Sequence, residues 1–156
     1  MTESTTTVHL VATPFGPFHM RASGGAIVAA GWREMQGGAP CDLLREAAGQ
    51  VADYFAGTRR DFELPLRVEE AELVQRVCAC LCAIPFGETR TYGDLAKELG
   101  RPAQAVGQAC GRNPIPVIIP CHRVLSATGL GGFSAPGGVE TKVALLKHEG
   151  AAGLLI

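Results

Sequence analysis

One stretch restricts this chain more than any other. Ile115-Pro116-Val117-Ile118-Ile119 runs directly into Pro120-Cys121-His122-Arg123-Val124. The β-branched residues of the first part read as a short buried strand, and that strand ends at a thiol beside an imidazole. A buried cysteine is commonly a small hydrophobe. A cysteine next to a base or a positive charge is instead a candidate nucleophile, because such a neighbour lowers the thiol pKa. Side chains at i and i+1 of a regular strand point to opposite faces, so adjacency alone leaves both readings open. Pro120 supplies a place where the strand can break.

What surrounds this stretch must be small. A chain of 156 residues forms one ordinary domain or two small ones. No apolar run approaches the length of a membrane span, and Met1 to Thr7 lacks the charged and apolar regions of a signal peptide. Six cysteines without such a signal point to reduced thiols and a cytoplasmic setting rather than a disulfide framework. Net charge is −1, but residues 1–70 carry six Lys/Arg against nine Asp/Glu, and residues 71–156 carry eight against six. The mildly basic second half is compatible with a DNA-facing surface.

Residues Val8 to Ala12, Phe18 to Ala22 and Ala26 to Trp32 read as three antiparallel strands, separated by turns at Thr13–Pro17 and Ser23–Gly25. A meander of this size needs a helix over its apolar face. Asp42 to Phe55 provides one, with Leu43, Leu44, Ala47, Ala48, Val51, Tyr54 and Phe55 at helical spacing and Gly57 as its C-terminal cap. Phe62-Glu63-Leu64 reads as an edge strand. His9, His19 and Cys41 lack paired metal-ligand spacing, so no zinc site is expected. A second helix is expected over Glu70 to Ile84, with Leu73, Val74, Val77, Cys78, Leu81 and Cys82 inward. Cys78, Cys80 and Cys82 do not converge on one helix face, and so fill space rather than hold a metal.

Thr91 is a good N-cap for a short helix, Tyr92 to Leu99. Gly100-Arg101-Pro102 then turns the chain into a further helix, about Ala103 to Gly111, with Pro102 at its first position. Two short helices around a glycine turn fit both ordinary packing and a DNA-binding helix-turn-helix. A major-groove reader carries Arg, Lys, Asn or Gln toward base edges. This second helix is mostly alanine and glycine, which suits close, shape-based contact in the minor groove. A last helix, Val139 to Glu149, has Val143, Ala144, Leu145 and Leu146 as its expected core face.

Asn113-Pro114-Ile115-Pro116-Val117-Ile118-Ile119-Pro120-Cys121-His122-Arg123-Val124 resembles the active-site signature of the O6-alkylguanine-DNA alkyltransferases, the methylated-DNA–protein-cysteine methyltransferases. The resemblance extends over nearly the whole chain and implies an α+β fold in two parts. Residues 1–66 would form a small antiparallel β-sheet with a covering helix. Residues 67–156 would form an all-helical part with the helix-turn-helix and the reactive cysteine. It implies a monomer that flips O6-alkylguanine out of double-stranded DNA and takes the alkyl group irreversibly onto Cys121, once per molecule, without metal or organic cofactor.

Residue by residue, the resemblance implies that Glu149 orients His122, which acts on Cys121 through a water. Asn113 would fix the adjoining turn, and Tyr92 would help rotate the nucleotide and protonate the leaving guanine. Ala103, Gln104, Gly107 and Arg112 would face DNA. Val124, Phe133 and Ser134 would border the guanine, while Arg123, grouped with the binding residues, would brace the site. Two departures stand out. The family's Ala-Arg-Ala-Val-Gly is here Ala103-Gln104-Ala105-Val106-Gly107, so a shorter, uncharged side chain replaces the arginine that fills the vacated base site. Ala135-Pro136 reads as a short insertion in the glycine-rich lid. Three rivals remain: a non-catalytic alkylguanine binder, against which Cys121 speaks; a transcriptional regulator, against which the poor base-reading inventory speaks; and a thiol hydrolase, which ester turnover would reveal.

Overall fold

The computed structural model describes residues 6–133 and 136–151. Its contacts divide the chain into two compact units, Met1–Arg67 and Val68–Ile156. In the first, β1 (Thr7–Thr13), β2 (Gly16–Ser23) and β3 (Ala26–Gly31) form an antiparallel sheet in that order. Residues of β2 alternate between inside and outside, burying Phe18, Met20 and Ala22, as the two-residue period of a pleated strand requires. Helix α1 (Asp42–Ala56) buries Leu44, Ala47, Val51 and Tyr54 and ends at Gly57, whose φ of 84° is left-handed. Full burial of a side chain the size of Leu44 or Val51 contributes about 1.5–3 kcal/mol.

The expected edge strand at Phe62-Glu63-Leu64 does not form. The buried Gln50 amide takes the place of a strand there, accepting from the Glu63 N–H at 2.9 Å and donating to the Glu63 carbonyl at 3.2 Å. Pairing with β3 falls instead at Leu66, where the Ile27 N–H donates to the Pro65 carbonyl and the Arg67 N–H to the Ile27 carbonyl.

In the second unit, α2 (Glu72–Cys82) is shorter than the expected helix and buries Val74, Val77, Cys78 and Leu81. Cys82 is exposed and Leu73 half-buried, contrary to expectation, because the inward stripe passes from Leu81 to Ile84. A short strand, β4 (Arg90–Thr91), leads into α3 (Tyr92–Leu99). A reciprocal capping box starts α3: the Asp94 N–H donates to Thr91 Oγ1 at 3.1 Å, and the Thr91 N–H to Asp94 Oδ2 at 2.9 Å. Gly100, at φ 65°, ends it. Pro102 stands one residue before α4 (Ala103–Cys110), as its N-cap.

The run Ile115–Ile119 is buried but is not the expected strand. Its chain turns back on itself, with the Ile119 N–H donating to the Ile115 carbonyl at 2.8 Å. Val117 sits at φ 72°, the single positive-φ residue other than glycine among the described residues. Prolines at 116 and 120 remove the N–H groups a ladder would need. Asn113 supplies the alternative: its Oδ1 accepts from the Ile115 N–H at 3.0 Å and its Nδ2 donates to the Ile119 carbonyl at 2.8 Å.

The second unit is also not wholly helical. After the cysteine, β5 (Val124–Leu125) pairs in parallel with β4, Arg90 opposite Val124 and Thr91 opposite Leu125. This two-residue ladder brings the start of α3 beside the end of the cysteine segment. Helix α5 (Val139–His148) closes the unit, with Glu149 as its C-cap. It buries Thr141, Lys142, Leu145 and Leu146, whereas Val143 and Ala144 are half-buried. The expected core face was therefore turned by about one residue.

Candidate active site and DNA-facing helices

Local backbone geometry resolves how thiol and imidazole share one place. Pro120 has φ −81° and ψ 69°, and the Cys121 N–H donates to the Ile119 carbonyl at 2.8 Å. That is an inverse γ-turn. Cys121–Arg123 then form a single 3₁₀ turn, in which successive side chains are about 120° apart. Cys121 is half-buried and faces a cavity, while His122 and Arg123 are buried behind it.

Behind the thiol lies a closed charge network. Glu149 accepts from Arg123 twice, from Nε to Oε1 at 2.8 Å and from Nη2 to Oε2 at 3.0 Å. Its Oε2 also lies 2.7 Å from His122 Nε2. Arg123 Nη1 donates to the Ile84 carbonyl at 2.7 Å, and the guanidinium carbon lies 5.8 Å from the centre of the Phe86 ring. The Glu149 side chain has no solvent exposure, so the forked arginine is what makes its charge tolerable there. Burial holds His122 below the ordinary imidazole value, with Glu149 pulling the other way. A neutral imidazole that donates through Nε2 to the carboxylate carries its lone pair on Nδ1. Nδ1 is buried and has no protein partner among the described residues. The relay therefore prepares one basic nitrogen. Arg123 is fully engaged in bracing, and does not line the cavity.

The cavity has a volume of about 370 Å³ and is lined by Tyr92, Gly107, Cys110, Gly111, Cys121, Gly132 and Phe133. That is the size of a small-molecule site. Tyr92 opens α3 and is half-buried, and burial pushes its phenol up. Gly131, at φ 74°, passes so close to Tyr92 that an added Cβ would lie 3.2 Å from the ring and its hydroxyl oxygen. A side chain there would lift the lid off the tyrosine. Phe133 is half-buried on the same wall. Ser134, expected beside it, lies outside the described residues, as does Ala135 of the expected insertion.

Lys142 was missed in the sequence. Hydropathy places lysine outside, yet this one has no exposed surface. Its Nζ donates to the Val124 carbonyl at 2.7 Å and to the Gly132 carbonyl at 3.3 Å, and lies 6.0 Å from the Tyr92 ring centre. The available signal was its position, three and four residues before Leu145 and Leu146. Lys142 thus already holds one lone pair of the Val124 carbonyl, at a residue expected to border the guanine.

Burial pushes the Cys121 thiol up, and two neighbours oppose it: a hydrogen bond from Asn113 and the Lys142 charge. Removing that charge, as in Lys142→Met, takes away a stabiliser of the thiolate alone and so raises the thiol pKa further. The expected result is slower single-turnover transfer at neutral pH, with the rising limb of the pH–rate profile displaced to higher pH. An unmoved profile would show that Lys142 does not act on the thiol.

On the helix-turn-helix, α4 exposes Ala103 and Gln104, and Arg112 is exposed just beyond it. Gly107 lies at the cavity's edge on the same helix. The described residues contain no group of three or more His, Cys, Asp or Glu that could hold a metal. None of their helices is long and apolar enough to cross a membrane.

A helix-turn-helix joined to a thiol-bearing cavity defines a DNA-binding protein that carries its own nucleophile. Residues 72–151 match the 6-O-methylguanine DNA methyltransferase family, DNA binding domain. The methylated-DNA–protein-cysteine methyltransferase of Methanosarcina acetivorans is 46% identical over 113 residues, 70% of this chain and 71% of that protein. In three dimensions, the Mycobacterium tuberculosis OGT protein in complex with DNA superposes with a TM-score of 0.81 at 35% identity, covering 96% of this chain and 97% of that one. An O6-methylguanine DNA methyltransferase from Methanococcus jannaschii gives 0.68 at 30% identity, covering 91% and 93%. The chain belongs to the methylated-DNA–protein-cysteine methyltransferases, proteins of DNA repair that move an alkyl group onto cysteine.

Proposed function

We propose that this protein repairs O6-alkylguanine in double-stranded DNA by transferring the alkyl group, once and irreversibly, to Cys121. One observation carries the reading: Cys121 faces the cavity while the buried Glu149–His122 pair lies immediately behind it. His122 Nδ1 takes the thiol proton through a water. The thiolate attacks the O6-alkyl carbon in line, the C–O6 bond breaks, and guanine leaves with a proton from Tyr92. Asn113 holds the turn that presents the thiol, and Phe133 forms the apolar wall against the base. A thioether has no facile hydrolysis, so each molecule acts once. Chemistry at O6 requires the nucleotide outside the stack, and the small residues Ala103 and Gly107 allow α4 to lie close in the minor groove. The protein works as a monomer in the cytoplasm, with Ala103, Gln104 and Arg112 against DNA.

Intact-mass measurement after incubation with an O6-methylguanine duplex tests this. One methyl group per chain, located on Cys121 by peptide mapping, is expected; release of free product with an unmodified chain would refute it. Gln104 modifies the flipping step. Its amide is shorter than arginine and carries no charge to meet phosphate or an orphaned base. Gln104→Arg is expected to tighten duplex binding and speed single-turnover repair of duplex DNA by about tenfold, the scale of one charge-assisted contact, leaving reaction with the free modified base unchanged. Equal duplex rates would remove Gln104 from the flipping step.

A further inference from the structure

The mechanism leaves one nucleophile of the cavity unused. Cys110, the last residue of α4, lines the same cavity as Cys121, the two separated by ten residues of folded-back chain. From the proposed reactivity of Cys121 and this shared cavity, we infer that Cys110 is a resolving thiol, which captures oxidised Cys121 as an intramolecular disulfide. The proposal rests on Cys121 being the reactive thiol; it is separable from alkyl transfer because its readout is oxidation of the DNA-free protein.

Access and chemistry assign the roles. Cys121 is half-buried on the cavity wall, while Cys110, 6% exposed, lines the same space. A hydroperoxide small enough to enter therefore meets Cys121 first. Burial pushes both thiols up, Cys110 to about 12, but only Cys121 adjoins the Glu149–His122 pair that takes its proton, so Cys121 initiates and Cys110 resolves. Lys142 acts electrostatically on both sulfurs. Its charge stabilises whichever of them becomes the thiolate.

The Cys121 thiolate attacks the hydroxyl oxygen of the peroxide, the O–O bond breaks, and Cys121 becomes a sulfenic acid while the alkoxide leaves as an alcohol, taking the proton that the thiol gave to His122. Cys110 then attacks the Cys121 sulfur. The S–S bond forms, the S–O bond breaks, and hydroxide departs as water with the Cys110 proton. Two thiols have lost two electrons and the hydroperoxide has gained them. The disulfide stops further oxidation of Cys121 to the sulfinic level, which thiols do not reverse, and a dithiol reductant returns the acceptor intact.

The test treats the full chain, reduced and free of DNA, with tert-butyl hydroperoxide, followed by intact mass and non-reducing peptide mapping. A chain lighter by two hydrogens, a Cys110–Cys121 linked peptide and full recovery of methyl acceptance after dithiothreitol are expected. Cys110→Ser and Cys110→Ala, each compared with its own reduced form, are expected to gain oxygen at Cys121 and to recover less than half of their acceptance. Sulfinic Cys121 forming equally in the natural chain, or Cys121 linked to Cys78, Cys80 or Cys82 instead, would overturn the proposal. Peptide mapping of the natural chain decides this even if both variants fold poorly. Methyl transfer by the reduced natural chain, measured in parallel, separates failure of this pair from failure of Cys121 as acceptor.

Discussion

Glu149→Ala is expected to cost the fold about 3–5 kcal/mol, the penalty for removing one partner of a buried ion pair. The substitution strands a guanidinium that donates twice to this carboxylate and an imidazole N–H that donates once. Neither can turn to water: Arg123 is 6% exposed and His122 is fully buried. It also frees the imidazole tautomer, so the lone pair is no longer confined to Nδ1. Urea denaturation is expected to show the lower midpoint with an unchanged slope, and single-turnover transfer is expected to fall even where the variant remains folded. Glu149→Gln separates the two effects. It preserves the shape and one acceptor oxygen, and is expected to lose less stability than alanine while still slowing transfer. A loss below about 1 kcal/mol for the alanine variant, the scale of an exposed pair, would mean that the network does not support the site.

Cys121→Ser is expected to abolish alkyl transfer while leaving binding to alkylated duplex in place. A serine hydroxyl is almost wholly protonated at neutral pH and is a poor nucleophile without a dedicated base. Removing the attacking atom of a covalent catalyst costs on the order of 10⁶-fold, beyond what single-turnover mass spectrometry detects. The serine fits the thiol's space, so the cavity and its lining should persist. The expected result is a long-lived lesion complex with no methyl gain, the behaviour of the non-catalytic alkylguanine binders from which Cys121 distinguishes this chain. A methyl group still found on the variant, at another cysteine such as Cys110, would move the acceptor elsewhere in the cavity.

Several parts of this arrangement were legible before any fold was known. Thr91, Asp94 and Gly100 bound α3 through their own side-chain and backbone preferences, and the observed helix begins and ends where those signals lie. Gly57 likewise stops α1. Such signals act within a few residues and need no tertiary partner. The apolar run 115–119 misled for the opposite reason. Its β-branched residues favour a strand, but prolines 116 and 120 and the Asn113 side chain close it into a turn with Val117 at φ 72°. The preference of single residues lost to a bridge across six.

Lys142 is the sharper case. A lysine among alanines and leucines reads as solvated, and only the carbonyls of Val124 and Gly132, arriving from distant chain, make its burial affordable. The β4–β5 ladder is similar, since neither two-residue segment is a strand without the other.

By itself, the sequence determined the chemical inventory: a cysteine, histidine and arginine in succession, a glutamate after the last helix, and two short helices around a glycine turn. Their joining belonged to tertiary structure alone. The 3₁₀ turn sends Cys121 toward the cavity and His122 and Arg123 toward Glu149, some 26 residues away along the chain, and α4 brings Cys110 to the same cavity. Local preferences fix which groups are present and how short segments bend. The energies that place charges and thiols together arise only when burial removes water from around them.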